Sequence, residues 1–210
     1  MSIQFHEEIY RGRSAMAKLR DFPVTVCGAG ALGANLCETL ARQGFGRLRV
    51  IDRDRVEERN LSTQPFYRSE IGGLKAKMLA NALYRALGVT VETRAEELRA
   101  DNVGRLLEGS GLVLDAFDNS VARGIVTRHC AAHDRACLHA GLAADYAEVL
   151  WNEIYRVPSA THDDVCDYPL TRNLVQLAVS VTAEATVRFV LGGIRESYTI
   201  TLGDLAIRPV

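Results

Sequence analysis

The chain has 210 residues, a formal net charge of −1 and a pI near 6.5, and 48% of its residues are apolar. The length suits one α/β domain that buries roughly 70% of its unfolded surface, and the apolar share excludes an intrinsically disordered chain. The balanced charge gives no basic field for nucleic acid, there is no run of 18 apolar residues, and the start MSIQFHEEIYRGR lacks a signal-peptide core, so the expectation is a cytoplasmic protein with no membrane or nucleic-acid partner.

In chain order, residues 5–20 read as a helical lead-in with Phe5, Ile9, Met16 and Leu19 available for burial. Val24 to Cys27 reads as a buried strand, and Gly28, Gly30 and Gly33 form a G-x-G-x-x-G turn that opens a helix over 31–43. Glycines there let the backbone bend sharply and let a phosphate approach the N–H groups at the helix start. Leu48, Val50 and Ile51 form a second strand ending at Asp52, 19 residues past Gly33, where a dinucleotide fold keeps an acid for a ribose hydroxyl. A polar insert follows, over 53–74, at the carboxyl edge of the sheet where ligands bind.

Residues 72–88 read as a helix with Gly88 as its stop and Lys75 in its first turn, either an ordinary exposed lysine or a cation reaching into an anion site. A strand over 89–93, a short helix within 101–109 and a buried strand over 112–115 come next, the last running into Ala116-Phe-Asp-Asn119. Ser120 to Ala132 is helical and Ala136 to Gly141 is a strand. Alternating patterns predict strands near 145–151 and 153–157, and PSATHDDVCDYP (158–169) is a breaker-rich loop. Leu170 to Leu191 is a long apolar helix ending at Gly192-Gly193, and Tyr198 to Leu202 and Leu205 to Ile207 are closing strands. With no repeat or linker, residues 1–210 read as a single domain. The expected fold is Rossmann-like and doubly wound, with a mostly parallel sheet and antiparallel C-terminal strands.

The five cysteines (27, 37, 130, 137 and 166) are odd in number and contain no C-x-x-C pair, so their spacing gives no support for a structural zinc and suits a reducing compartment. Cys27 and Cys37 read as small buried hydrophobes.

The motifs G-A-G-A-L-G (28–33), I-D-R-D-x-V-E (51–57), N-L-x-x-Q (60–64), I-G-x-x-K (71–75) and D-x-F-D-N-x-x-x-R (115–123), in this order, resemble the ThiF/MoeB/HesA superfamily of ubiquitin-activating-enzyme-like adenylyltransferases. The resemblance covers about residues 5–205. It implies Mg-ATP-dependent adenylation of the C-terminal glycine of a small ubiquitin-fold carrier protein ending in Gly-Gly, often a sulfur carrier, by a homodimer. It further implies that Gly28, Gly30, Ala31 and Gly33 cradle phosphate and that Asp52 binds the ribose. Asn60 and Gln64 then line the nucleotide pocket, Lys75 neutralises phosphate charge, and Asp118 holds Mg²⁺ with Asn119 beside it. Asp54 is either a nucleotide contact or a turn residue, and Arg123 either a site residue or a surface ion pair with Asp115 or Asp118. Asp118 and Asn119 by themselves also read as a helix N-cap.

The chain departs from the family pattern twice: Thr63 stands where the family has arginine, and His6 stands where many members carry an arginine donated across the dimer. Arg59, Arg11 and Arg13 are the candidate replacements. Cys166, in the loop before the long apolar helix, occupies the region where thioester-forming members place a cysteine, and is either a transfer cysteine or an incidental thiol. Besides the adenylyltransferase, the residues leave open a catalytically weak partner subunit and the adenylation of small-molecule or tRNA-bound carboxylates. An NAD-dependent oxidoreductase is disfavoured by the insert and the D-N motif, neither of which hydride transfer needs.

Overall fold

A computed structural model describes residues 2–158 and 169–210. Among them one eight-stranded sheet runs in the order β3-β2-β1-β4-β5-β6-β7-β8. Its strands are β1 (Pro23–Cys27), β2 (Arg47–Ile51), β3 (Glu92–Arg94), β4 (Leu112–Asp115), β5 (Cys137–Ala143), β6 (Tyr146–Trp151), β7 (Tyr198–Thr201) and β8 (Ala206–Pro209). The first five are parallel and the last three pair antiparallel, as the sequence leads one to expect. The chain winds outward from β1 to β3, then returns to β4 on the other side, so the order reverses between β1 and β4. A crevice at the carboxyl ends of the strands opens at such a reversal.

The helices are α1 (Phe5–Arg11), α2 (Arg13–Asp21), α3 (Ala31–Arg42), α4 (Lys75–Leu87), α5 (Val103–Leu106), α6 (Ser120–Ala132) and α7 (Arg172–Gly192). Val24 and Val26 of β1 point into the larger core with α2, α3, α4 and α7, while Cys27, Ile51 and Val113 point to a smaller core with α5 and α6. Both faces of the central strands are therefore covered, which is why LVLD of β4 is buried at all four positions. Helix α7 is long and apolar enough to cross a bilayer by composition, yet half of that stretch is buried, with Leu174, Val175, Ala178 and Val179 facing the core. Its buried threonines Thr182 and Thr186 satisfy their hydroxyls on the carbonyls one turn back, at 2.7 and 2.8 Å.

Three expectations need correction. The lead-in is two helices rather than one, because Gly12 adopts φ +83° and breaks the run. Only Met16 and Leu19 of its apolar set are buried; Phe5 and Ile9 stay 39% and 68% exposed. No strand forms at 153–157: Ile154 and Tyr155 both donate back to the Trp151 carbonyl in a turn, and β7 takes the open edge of β6. The predicted helix stops hold, with Gly88 and Gly193 left-handed at φ +69° and +70°.

Candidate active site

The site is built where β1, β2 and β4 end. Gly28 (φ +96°) receives its shape from a close crossing: a Cβ there would lie 2.9 Å from the Ala116 carbonyl oxygen. At Gly33 a Cβ would lie 2.0 Å from the Gly28 oxygen, so the missing side chain lets α3 sit directly on the turn. Gly30 differs, since nothing lies within 4 Å of where its Cβ would be. It begins α3 without any capping side chain, leaving the first N–H groups of a twelve-residue helix to face that opening. This is the arrangement that binds anions.

Asp52 closes the turn from below. One carboxylate oxygen accepts from the Ala29 N–H at 2.7 Å and the other from the Asp54 N–H at 2.7 Å. Burial pushes its pKa up, opposed by these two N–H groups and by Lys75. Lys75, the first residue of α4, is 8% exposed, and its Nζ lies 3.4 Å from the Asp54 carboxylate. The Asp52 charge acts on it as well, so this nearly buried ammonium sits between two carboxylates beside the glycine turn, where a bound phosphate would meet it.

The polar insert is an ordered loop. Backbone bonds between Val56 and Gly72–Gly73, and from the Lys75 N–H to the Asp54 carbonyl, pinch it shut at its base. Within it Asn60 ends a short 3₁₀ turn and accepts from the Glu57 N–H at 2.9 Å. Gln64 is 9% exposed, and its side-chain oxygen is a buried acceptor with no hydrogen-bond partner among the described residues. Orphaned acceptors of this kind are rare, and a ligand donor would satisfy this one.

A family model, that of the ThiF family, matches residues 4–195. The chain belongs to the ThiF family. Among curated relatives, a Thermus thermophilus sulfur carrier protein adenylyltransferase is 35% identical over 117 residues, covering 55% of this chain and 43% of that protein. The Bacillus subtilis sulfur carrier protein ThiS adenylyltransferase is 35% identical over 120 residues, covering 55% of this chain and 35% of that one. The chain thus aligns with less than half the length of these relatives. Among solved structures, the microcin C7 biosynthetic enzyme MccB in complex with N-formylated MccA superposes with a TM-score of 0.85 at 15% identity, covering 98% of this chain and 69% of that one. That likeness bears on the fold.

The remaining predicted residues fall around the same crevice. Asp118 is exposed on the turn after β4, and Asn119 caps α6 by accepting from the Ala122 N–H at 2.8 Å. No three acidic, histidine or cysteine side chains among the described residues gather to hold a metal, so Mg²⁺ at Asp118 would draw most of its ligands from phosphate and water, as that ion commonly does. Asp54 does two jobs, bracing Asp52 through its N–H and facing Lys75 through its carboxylate. Arg123 is no surface ion pair. It is 8% exposed and donates to the Phe117 carbonyl (2.6 Å), the Ala140 carbonyl (2.8 Å) and the Tyr155 hydroxyl (3.0 Å).

Of the candidate replacement cations, Arg11 is held between Glu7 (2.7 Å) and Glu184 (2.9 Å), Arg13 pairs with Glu8, and Arg59 pairs with Glu57 at 2.6 Å. Thr63 is buried, and its carbonyl accepts from the Asn35 side chain at 2.7 Å. Cys166 lies outside the described residues, as does His162 beside it. Cys27, Cys37, Cys130 and Cys137 are all buried, and burial raises the Cys37 thiol to about 12.

Sequence reasoning missed one feature, a buried polar group beneath the Asp118 turn. Asp115 and His139 are both 0% exposed, and His139 Nδ1 lies 2.8 Å from the Asp115 carboxylate. Burial would raise the Asp115 pKa, but the hydrogen bond from His139 and the Arg123 charge outweigh it and hold the carboxyl below its usual range. A signal existed: an acid and a histidine inside apolar runs, LVLD and CLHAG, that parallel pairing sets side by side.

Proposed function

We propose that the chain is an ATP-dependent adenylyltransferase domain, spanning residues 1–210, that activates the C-terminal glycine of a small ubiquitin-fold carrier protein ending in Gly-Gly. The observation that carries the reading is the nearly buried Lys75 ammonium, facing Asp52 and Asp54 beside the uncapped start of α3, with the orphaned Gln64 acceptor in the adjoining loop. Named relatives that adenylate sulfur carriers support the choice of substrate class.

In this reading a carrier carboxylate oxygen attacks the α-phosphorus of ATP, a P–O bond to the β-phosphate breaks, and pyrophosphate leaves. Negative charge gathers on phosphate oxygens during that step, so fixed donors aimed at them lower the barrier. The N–H groups at the start of α3 and the Lys75 ammonium are such donors. Asp52 holds the glycine turn through Ala29 and presents its remaining lone pairs to a ribose hydroxyl. Asp118 would hold Mg²⁺, which neutralises phosphate charge when bound. The protein works as a cytoplasmic homodimer, and the Cys166 thiolate attacks the acyl carbon of the adenylate, the C–O bond to AMP breaks, AMP leaves and a thioester forms.

ATP–pyrophosphate exchange with a candidate carrier tests the reading. Carrier-dependent exchange is expected, and ATP binding without exchange would instead favour a catalytically weak partner subunit. That second reading rests on Thr63, buried where the family pattern has a cation, and on Arg11, already held by two glutamates.

A further inference from the structure

Beneath the Asp118 turn the polar contacts close on themselves. The last sheet bond of the segment runs from the Ala116 N–H to the Cys27 carbonyl, and beyond it the backbone leaves the sheet. From there side chains hold it. The Phe117 N–H donates to Asp115 at 3.2 Å, and the Phe117 carbonyl accepts from Arg123 at 2.6 Å. Both hydrogen-bonding groups of the residue before Asp118 are thus fixed by buried charges, and the Phe117–Asp118 peptide plane is set by the guanidinium. Asp115 is tied in turn to His139, whose ring stacks on Tyr155 at 3.7 Å between centroids and 8° between planes. The Tyr155 hydroxyl accepts from Arg123 at 3.0 Å, which completes the circuit. Asn152, from the turn after β6, braces the far side, its side-chain oxygen 2.8 Å from His139 Nε2.

A buried acid and a buried guanidinium give little net stability compared with apolar residues of the same size, so their worth lies in what they position. Here they position one turn. We propose that His139 and Tyr155 are positioning residues for the adenylation step, locking Asp115 and Arg123 around Phe117 so that the Asp118 carboxylate is held in its working direction. The proposal rests on the adenylyltransferase reading for the role of Asp118, while the clamp itself is a statement about the turn.

Tyr155→Phe keeps the stacked ring and removes only the acceptor for Arg123. The first measurement is amide hydrogen exchange without ligand. Faster exchange by about tenfold is expected at Phe117 and Asp118, with Val113 and Leu114 unchanged. Unchanged exchange at 117 and 118 overturns the clamp, whatever the activity. The second is steady-state ATP–pyrophosphate exchange. Tyr155→Phe should lower kcat about tenfold with the KM for ATP within about twofold, the pattern of a misdirected reacting group rather than a lost binding contact. In an Asp118→Asn background the same change should cause no further loss, because residues acting through one group are not additive. A full tenfold loss in that background overturns action through Asp118. Should Tyr155→Phe not fold, His139→Gln, which keeps a donor for Asp115 and removes the stacked ring, carries the same measurements. If the wild-type protein shows no exchange reaction, the adenylation reading fails, and with it the role in that step, while hydrogen exchange still decides the clamp.

Discussion

Gly30 and Gly33 belong to the same motif, yet the structure gives them opposite tasks, and alanine at each position separates them. At Gly33 the added methyl would lie 2.0 Å from a backbone oxygen where ordinary contact starts at 3.4 Å, so α3 must retreat by about 1.4 Å from the glycine turn. Overpacking of that kind costs about 1 to 3 kcal/mol, or a fall in Tm of roughly 2 to 12 °C for a chain of this size. At Gly30 the methyl meets nothing within 4 Å and φ is −80°, so the cost is limited to a poorer helix cap, about 1 kcal/mol or less. The same open space is where a phosphate would approach the N–H groups of α3, so Gly30→Ala should bind ATP at least about tenfold more weakly while melting within about 4 °C of the wild type. Scanning calorimetry paired with titration calorimetry reads both quantities. Gly30→Ala that binds ATP with unchanged affinity would refute the assignment of that opening to phosphate.

Lys75→Ala and Asp118→Ala should each lower ATP–pyrophosphate exchange by about a hundredfold or more and leave the fold intact, and near-normal exchange in either would remove that residue from the mechanism. Cys166→Ala should keep that exchange but lose any reducible enzyme–carrier conjugate on a non-reducing gel; an undiminished conjugate would eliminate Cys166 as the acceptor. Light scattering should report a dimer, and a monomer at high micromolar concentration would count against the twofold assembly. Asp115 has a folded-state pKa below its ordinary 3.8, so the folded protein binds fewer protons than the unfolded one between the two values. Its contribution to stability is present above about pH 4 and is lost as pH falls through the folded value. Urea melts should therefore show a shallower acid loss for Asp115→Asn than for the wild type, and equal slopes would contradict the pairing. Asp52 acts in the opposite sense in both proteins, since burial raises its pKa.

The glycine turn, the alternation of strand and helix and the stops at Gly88 and Gly193 were readable because each is local: a period, a cap, a residue that tolerates positive φ. The single lead-in helix failed because apolar spacing runs straight through Gly12 and does not report the backbone angle that breaks it. EIYRV alternates like a strand, but alternation cannot say whether a partner edge is open, and β7 already occupies it. The surface ion-pair alternative for Arg123 failed because its partners include the carbonyls of Phe117 and Ala140, groups every sequence has and none advertises. The pairing of Asp115 with His139 depends on the register of β4 against β5, which is set by crossovers rather than by neighbours along the chain.

The burial of Cys27, Cys37, Cys130 and Cys137 has a practical side. These four thiols are shielded from solvent, so slow alkylation at the four positions is a mark of the folded chain that needs no engineered background. The rate of their modification, followed as urea is raised, would serve as a reporter of core opening built into the natural sequence, with Cys37 reading the larger core and Cys27, Cys130 and Cys137 the smaller one.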